Sequence, residues 1–468
     1  MRLPPAMILL AILAPTLWET GDSRPALPAS ERAPAVYDPD PAHIWNRVYA
    51  ALLIRDNSHG AQWGTDSLDP PLWPETEHLL VGPSHARALR VLDEFLQTHA
   101  ENKIRDPLKR AILQRDLWAV FDWSVHQESD SGPPPHENER SELQVRLAEV
   151  LRRLALTLKE LESLPDNYAQ AVASGEFARE YDPAHPEQPF LPPDVFDSGP
   201  WVYVNEADSY GPQAVAIEHV SGVSGRSRFL VFIRLPGGRK ATLDYLQALW
   251  NFPEAWVHGS DFASDQAIVN PALPSFPAGT EVALVRQMVL FDSLGNLAPA
   301  PITESIQLRV YRSITTTPER YFGSGNMEEV ARNSGQDFYQ FTLNRRQLFA
   351  NQEGGLKATA RDERELPTFQ ARGDDLIDEI SEKPALMKTW PPVLQTCLLC
   401  HSGGGVHSLN SREKLLKPNR RQPETSGNKP YPPRWWVNAG TTNWKQDRYD
   451  WGLLHGYWRA SAGHDEAR

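Results

Sequence analysis

The sequence concentrates its reactive side chains in one short segment. Both cysteines of the 468-residue chain lie in Cys397-Leu398-Leu399-Cys400-His401, where a histidine directly follows the second cysteine. In an α-helix, residues three and four apart lie on one face, about one turn from each other. Two nucleophilic sulfurs and one imidazole can therefore contact a single partner molecule together.

The spacing Cys-x-x-Cys-His is typical of covalent haem attachment. In this pattern the two thiols form thioethers with the vinyl groups of the porphyrin, and the adjacent imidazole ligates the iron. We therefore predict that the protein binds one haem c, an iron porphyrin, through Cys397 and Cys400, with His401 as the proximal iron ligand.

Three other functions of these residues stay open. A redox-active dithiol would follow a strand and open a helix, whereas the segment 388–393 before the motif contains two prolines. A zinc site would use His401 and His407 as further ligands, but the sequence shows no second paired ligand motif. A structural disulfide would close too short a loop to remove much entropy from the unfolded chain. Haem attachment is therefore the preferred interpretation.

The composition limits the class of protein. The formal net charge of -13 argues against a nucleic-acid-binding protein, and the 41 prolines and 15 tryptophans indicate a globular protein with many loops. The length implies about two to four domains. The sequence contains no nucleophile elbow, no HExxH motif and no EF-hand loop, so catalytic residues, if the protein has any, stay unknown.

The amino terminus, residues 1–28, has the pattern of a signal peptide. A positive charge at Arg2 precedes an apolar run from Ala6 to Trp18, which is too short to span a bilayer comfortably. We place the cleavage site between about Thr20 and Ala29. The sequence therefore predicts a bacterial protein that is periplasmic or otherwise exported and whose mature chain has no transmembrane segment.

Hydrophobic periodicity predicts an α+β multidomain protein. An N-terminal α-helical region at 29–180 precedes a central, mostly antiparallel β-rich domain at 181–365, and a small α-helical haem-binding module follows at 366–468. Apolar spacings of three and four predict helices at 40–55, 84–99, 106–121 and 137–164, and a further helix is predicted at 243–250. Alternating apolar residues predict strands at 228–235, 281–291, 305–311 and 337–349.

From Leu366 onward the chain resembles a mono-haem c-type cytochrome module. The resemblance covers about the last fifth of the chain, and the motif described above is its specific content. It implies a few short helices against the haem, for which 374–381, 411–416 and 448–460 are the candidates. It also implies a second axial ligand, usually a methionine well downstream of the motif.

The chain departs from this family at the second iron ligand. No methionine follows His401. His455, on the predicted helix 448–460, and Met387, before the motif, are the candidate distal ligands, and an open position is the third possibility. A filled position favours electron transfer, whereas an open position lets small ligands reach the iron.

The predicted function is therefore electron transfer with a redox partner protein. The alternatives are a peroxidase-like haem enzyme, which would be a haem-dependent oxidoreductase, and a haem-based sensor. Both alternatives require an open distal site.

Overall fold

A computed structural model gives the fold of the chain, and residues 33–468 form one compact unit. The residues that the structure describes are 33–56, 62–64, 66, 68–69, 72, 76–125, 136–197, 199–204, 216–253, 256–258, 267–314, 334–363, 392–401, 404–409 and 439–465. The predicted boundaries after residues 180 and 365 fall inside the compact unit. The predicted signal peptide and the predicted helices at 374–381 and 411–416 lie outside the described residues.

The described helices and strands differ widely in length. The described α-helices, α1 to α13 in chain order, are Ile44–Leu53, Gly82–Gln97, Pro107–Ser124, Glu137–Leu154, Leu158–Glu162, Asn167–Ser174, Ile217–Gly222, Gly238–Asn251, Arg345–Phe349, Val393–Thr396, Leu398–His401, Ala439–Gln446 and Tyr449–Asp465. The described strands, β1 to β10, are Arg55–Asp56, Gln62–Trp63, Val202–Tyr203, Ser227–Arg234, Trp256–His258, Ala267–Val269, Glu281–Phe291, Leu297–Tyr311, Gln336–Leu343 and Leu356–Ala358. Short 3-10 helices are Ala100–Asn102, Glu353–Gly355 and Gly405–Ser408. None of the described helices is both long and apolar enough to cross a membrane.

A six-stranded antiparallel sheet organises the compact unit. Its strand order is β10-β9-β8-β7-β4-β3, so neighbours in the sheet are mostly neighbours in sequence. At its centre Val231 of β4 pairs with Leu284 of β7, and Val285 of β7 pairs with Ile306 of β8. Every strand pairing in this sheet is antiparallel.

The two faces of the sheet pack into different hydrophobic clusters. Successive residues of a strand point to opposite faces, so Leu230 and Phe232 of β4 lie in the larger cluster with helices α1 to α6. Phe229 and Val231 of the same strand lie in a smaller cluster with α7, α8 and Val406. The segment that follows the cysteine motif therefore packs on the sheet face opposite the helical region.

The long helix predicted at 137–164 is wrong as one element. Helix α4 ends at Leu154, and Leu156 instead forms a parallel β-bridge with Asp292, at the end of β7. Thr157 then starts α5 through a capping box, in which its side chain accepts from the Glu160 backbone and the Glu160 side chain accepts from the Thr157 N–H. Leu154 of α4 and Leu161 of α5 are buried in the same cluster, whereas Leu158, which the helical spacing also places on that face, is 60% exposed.

The strand predicted at 337–349 is also only partly right. Strand β9 ends at Leu343, and the side chain of Asn344 accepts a hydrogen bond from the Gln347 N–H to begin helix α9. In contrast, the predicted helix start at Asp106 and Pro107 is confirmed, since the Asp106 carboxylate accepts from the Leu108 N–H at 2.9 Å. Local capping contacts therefore determine where α9 begins after β9 and where α3 begins.

Buried ion pairs join the helical layer to the sheet. The Nε atoms of Arg115 on α3 and Arg286 on β7 each lie 2.8 Å from the carboxylate of Glu304 on β8. The side chain of Arg115 is 0% exposed and that of Glu304 is 1% exposed. Asp69 also contacts both guanidinium groups, at 3.2 and 2.8 Å. Although burial alone lowers it, Asp69 and Glu304 raise the pKa of Arg286 above its usual range.

Candidate haem site

The cysteine motif forms the helical geometry that its spacing predicts. Helices α10 and α11 flank Cys397, and the backbone N–H of His401 donates to the Cys397 carbonyl at 3.1 Å, which is the bond of one α-helical turn. Cys397 is a half-buried thiol whose Sγ lies 3.9 Å from the Val393 carbonyl oxygen. The side chain of Cys400 lies outside the described part of the chain. The structure thus brings the first thiol and His401 to one face.

The imidazole of His401 is held by a backbone carbonyl. Its Nδ1 lies 2.7 Å from the carbonyl oxygen of Ser408. Because a carbonyl can only accept, Nδ1 of the neutral ring carries the hydrogen and donates it, and Nε2 keeps its lone pair. Metal-binding histidines usually donate their other ring N–H to a carbonyl or carboxylate in this way. The ring therefore has the tautomer that an axial iron ligand needs.

Strand β8 fixes the carbonyl that holds His401. The Ser408 hydroxyl donates to the Gly405 carbonyl at 2.8 Å and lies 2.5 Å from the Tyr311 hydroxyl. The guanidinium of Arg309 donates to the Ser408 carbonyl at 3.3 Å. The same oxygen therefore accepts from Arg309 and from His401. The position of the imidazole thus depends on residues of the central sheet.

Strand β9 holds the backbone of the same histidine. The side-chain amide of Gln336, the first residue of β9, donates to the His401 carbonyl at 3.1 Å. The sequence analysis did not identify Gln336 or Ser408 as site residues. Neither residue belongs to a motif, and only the folded chain brings the sheet to the cysteine segment.

A second histidine lies parallel to His401. The ring of His219, on α7, has its centre 6.3 Å from the centre of the His401 ring, and the two planes differ by 3°. The His219 ring also lies 5.5 Å from the ring of Phe229 on β4. The sequence analysis did not single out His219, because it is an isolated histidine far upstream of the motif.

A tight turn after α7 positions His219. The N–H of Gly225 donates to the Val220 carbonyl at 3.0 Å, and Gly225 has a φ of +72°. A Cβ atom at this position would lie 2.9 Å from the ring of Trp444 on α12. Glycine is therefore required both by the backbone angle and by the close approach of the tryptophan. Val220, next to His219, is buried in the smaller cluster.

The candidate distal ligands of the sequence analysis lie elsewhere or outside the described residues. His455 lies on α13, and its ring packs between Trp451 at 4.4 Å and Trp458 at 4.8 Å. Both tryptophans belong to the larger cluster, whereas the segment bonded to His401 belongs to the smaller one. Burial lowers the pKa of His455. Met387 lies outside the described residues, and His407 is half-buried on the 3-10 helix Gly405–Ser408.

Gly405 gives the first testable prediction about this site. Its φ is +54°, and a Cβ atom there would lie 2.1 Å from the Ser275 hydroxyl, which accepts the backbone N–H of Val406 at 3.3 Å. We expect Gly405→Ala to lower the free energy of unfolding by about 1–3 kcal/mol, because it adds both backbone strain and overlap. Urea denaturation monitored by tryptophan fluorescence measures this difference.

Gly452→Ala is the matched control for Gly405→Ala. Gly452 lies inside α13, and its added Cβ would meet no atom within 4 Å. In a helix interior alanine is more stable than glycine by about 0.5–1 kcal/mol. The two substitutions should therefore change stability in opposite directions, and an equal effect of both would contradict the special role of Gly405.

Similarity to known proteins does not assign this chain to a family. Among the described residues, no group of three or more His, Cys, Asp or Glu side chains is arranged to hold a metal ion. No protein-family model matches the chain, and comparison with curated proteins and with solved structures finds no significant similarity.

Proposed function

We propose that this protein is an exported mono-haem c-type protein that transfers single electrons. Cys397 and Cys400 would hold the porphyrin through two thioethers, and His401 would be the proximal iron ligand. The observation that supports the proposal is the hydrogen bond from Nδ1 of His401 to the Ser408 carbonyl, which places the lone pair of the neutral ring on Nε2, as in metal-binding histidines. A dithiol function would not require this bond.

The proposed attachment balances without a further reactant. Each thiol adds across one vinyl group, so that a sulfur–carbon bond forms and the thiol hydrogen goes to the other vinyl carbon. No group leaves, and the chain gains the mass of one haem. The bound haem would supply a one-electron Fe(III)/Fe(II) couple, which accepts an electron from a reduced donor protein and passes it to an oxidised acceptor.

The protein contributes by orienting and tuning His401. Donation from Nδ1 to the Ser408 carbonyl fixes the ring and raises the basicity of Nε2. Donation from Arg309 to the same oxygen weakens this effect, because one carbonyl is shared by two donors. Val406 and Leu409, on the segment whose Ser408 carbonyl holds the ring, are buried in the smaller hydrophobic cluster. Arg309 is therefore a positioning residue, which would act on a bound iron only through His401.

The proposed function also implies a cellular compartment and a partner protein. Residues 1–28 would export the chain, and the periplasm would be its compartment, because the haem would be attached outside the cytoplasmic membrane as in the family that the motif resembles. Electron transfer requires a redox partner protein. The peroxidase-like and sensor functions remain the alternatives, and the distal position decides among the three.

The visible spectrum of the purified mature protein tests this proposal. The chain is expressed with its leader and a bacterial haem-maturation system, and spectra are recorded oxidised, reduced, and reduced under carbon monoxide. We expect sharp low-spin bands that carbon monoxide does not change. A high-spin spectrum that shifts with the gas would favour an enzyme or a sensor. A protein without haem absorbance would refute all three haem functions.

A further inference from the structure

We propose that His219 is the second axial ligand, so that the iron is held between two imidazoles from distant parts of the chain. This inference rests on the proposed haem attachment. It assigns a residue outside the cytochrome-like segment to the metal centre, and it concerns a position that the resemblance to c-type cytochromes does not supply.

The ring geometry carries the inference. Two imidazoles that bind one metal ion from opposite sides, each with a metal–nitrogen bond of about 2 Å, have ring centres roughly 6 Å apart. The rings of His219 and His401 are 6.3 Å apart and differ by 3° in plane. Rings stacked directly face to face would instead be about 3.5–4 Å apart. The observed separation is larger than that of a direct stack and equals the spacing that two imidazoles on one metal ion would need.

Both rings are held by the protein itself. His401 is fixed through the Ser408 carbonyl, and His219 is fixed by its ring contact with Phe229 and by the turn at Gly225. A short turn, residues 223–226, joins α7 to β4, which is an interior strand of the sheet. Contacts within the protein therefore position both imidazoles before any cofactor binds, which reduces the ordering entropy lost on ligation.

A distal ligand at His219 would give the large α+β body a direct role in haem binding. In this arrangement one ligand comes from the cytochrome-like segment and the other from the α+β body. Loading the site would link the segment 392–409 to the sheet by a metal–nitrogen bond, in addition to the existing bonds from Gln336 and Tyr311. The helical layer and the sheet are thus the frame that presents His219.

Bis-imidazole ligation has three measurable consequences. A filled sixth position keeps the iron low-spin and excludes carbon monoxide. The reduction potential lies below that of a histidine–methionine pair, since methionine raises it. Parallel imidazole planes act on the same iron d orbital, so the oxidised protein should give a rhombic low-spin electron paramagnetic resonance spectrum. Perpendicular planes would give a strongly axial one.

The test compares His219→Ala with His455→Ala in the full-length haem-loaded protein. Both variants remove one imidazole, and His455 is the candidate that packs between Trp451 and Trp458. We expect His219→Ala to lose the low-spin bands completely and to bind carbon monoxide. Added free imidazole should restore the low-spin spectrum by filling the space. His455→Ala should keep the wild-type spectrum.

The possible outcomes separate this inference from the proposed function. Low-spin, carbon-monoxide-insensitive His219→Ala protein would overturn the inference and leave covalent haem binding intact. Wild-type protein without bound haem would overturn the proposed function itself. If His219→Ala does not load haem, the near-infrared magnetic circular dichroism of the wild type decides, because its charge-transfer band differs between imidazole–imidazole and imidazole–thioether pairs. A thioether band would refute His219 as the ligand.

Discussion

Replacing Cys397 and Cys400 together with serine is expected to abolish covalent haem attachment. Serine hydroxyls are far weaker nucleophiles than thiols and do not add to vinyl groups under these conditions. Because the chain contains no other cysteine, no second thiol can substitute. The intact mass of the denatured double variant should equal that of the mature polypeptide alone, whereas the wild type should carry the additional mass of one haem.

The single variants provide the internal control for this experiment. Cys397→Ser and Cys400→Ser should each retain one thioether, so the denatured chain keeps one haem by mass. One vinyl group then stays conjugated with the porphyrin, and the absorption bands move to longer wavelength. Haem that remains bound to the denatured double variant would show attachment through another residue and would contradict the assignment of the motif.

The double variant also distinguishes attachment from ligation. His401 and His219 remain in place, so the folded double variant can still take up haem without a covalent bond, in the manner of a bis-imidazole site. Such haem would be extracted by acidified organic solvent, and covalent haem would not. A low-spin, extractable haem in this variant would therefore support both the proposed function and the further inference.

Glu304→Gln should be the most destabilising of the single substitutions considered. The carboxylate of Glu304 lies between Arg115 and Arg286, and its removal leaves the fully buried Arg115 guanidinium with Asp69 as its one remaining ion-pair partner among the described residues. The side chain of Asp69 is 42% exposed, so its charge is partly screened by water. Removing one partner of a buried ion pair costs about 3–5 kcal/mol. Urea denaturation at neutral pH measures the loss.

Glu363→Gln is the control of matched chemistry at the surface. Its carboxylate lies 3.5 Å from Lys357, and the two side chains are 38% and 53% exposed. An exposed pair of this kind contributes about 0.5 kcal/mol or less. If Glu304→Gln and Glu363→Gln destabilised the protein equally, the buried pairs could not be what joins α3 to the sheet.

Helix α3 packs on the sheet, and His219 lies next to β4 of the same sheet. We therefore expect the stability of the fold and the ligation of haem to be coupled. Glu304→Gln weakens the contact of α3 with β7 and β8. It replaces no residue of α7 and does not alter the Ser408 carbonyl that holds His401. Ligand binding to the folded state alone adds to its stability. Haem binding therefore increases the total free energy of unfolding. We expect Glu304→Gln to remove a smaller fraction of this free energy in the haem-loaded protein than in the same chain without haem.

The local features of the chain were determined by the sequence itself. The turn spacing of Cys397 and His401 is realised by an α-helical hydrogen bond, and the cap at Asp106 lies where its pattern predicts. The alternating apolar residues at 281–291 form strand β7 with the predicted bounds. Each of these features depends on neighbours within about one turn or one strand, so a short segment is sufficient to specify it.

Features that join distant segments were decided only by the tertiary structure. The sequence offers His455 on a suitable helix, but packing turns its ring between two tryptophans of the larger cluster. It offers no signal for His219, which reaches His401 because α7 and the cysteine segment cover the same face of the sheet. The break at Leu156 follows in the same way from its pairing with Asp292. Such contacts depend on how the layers of the fold pack against each other. Local sequence periodicity carries no information about which distant residue a side chain will contact.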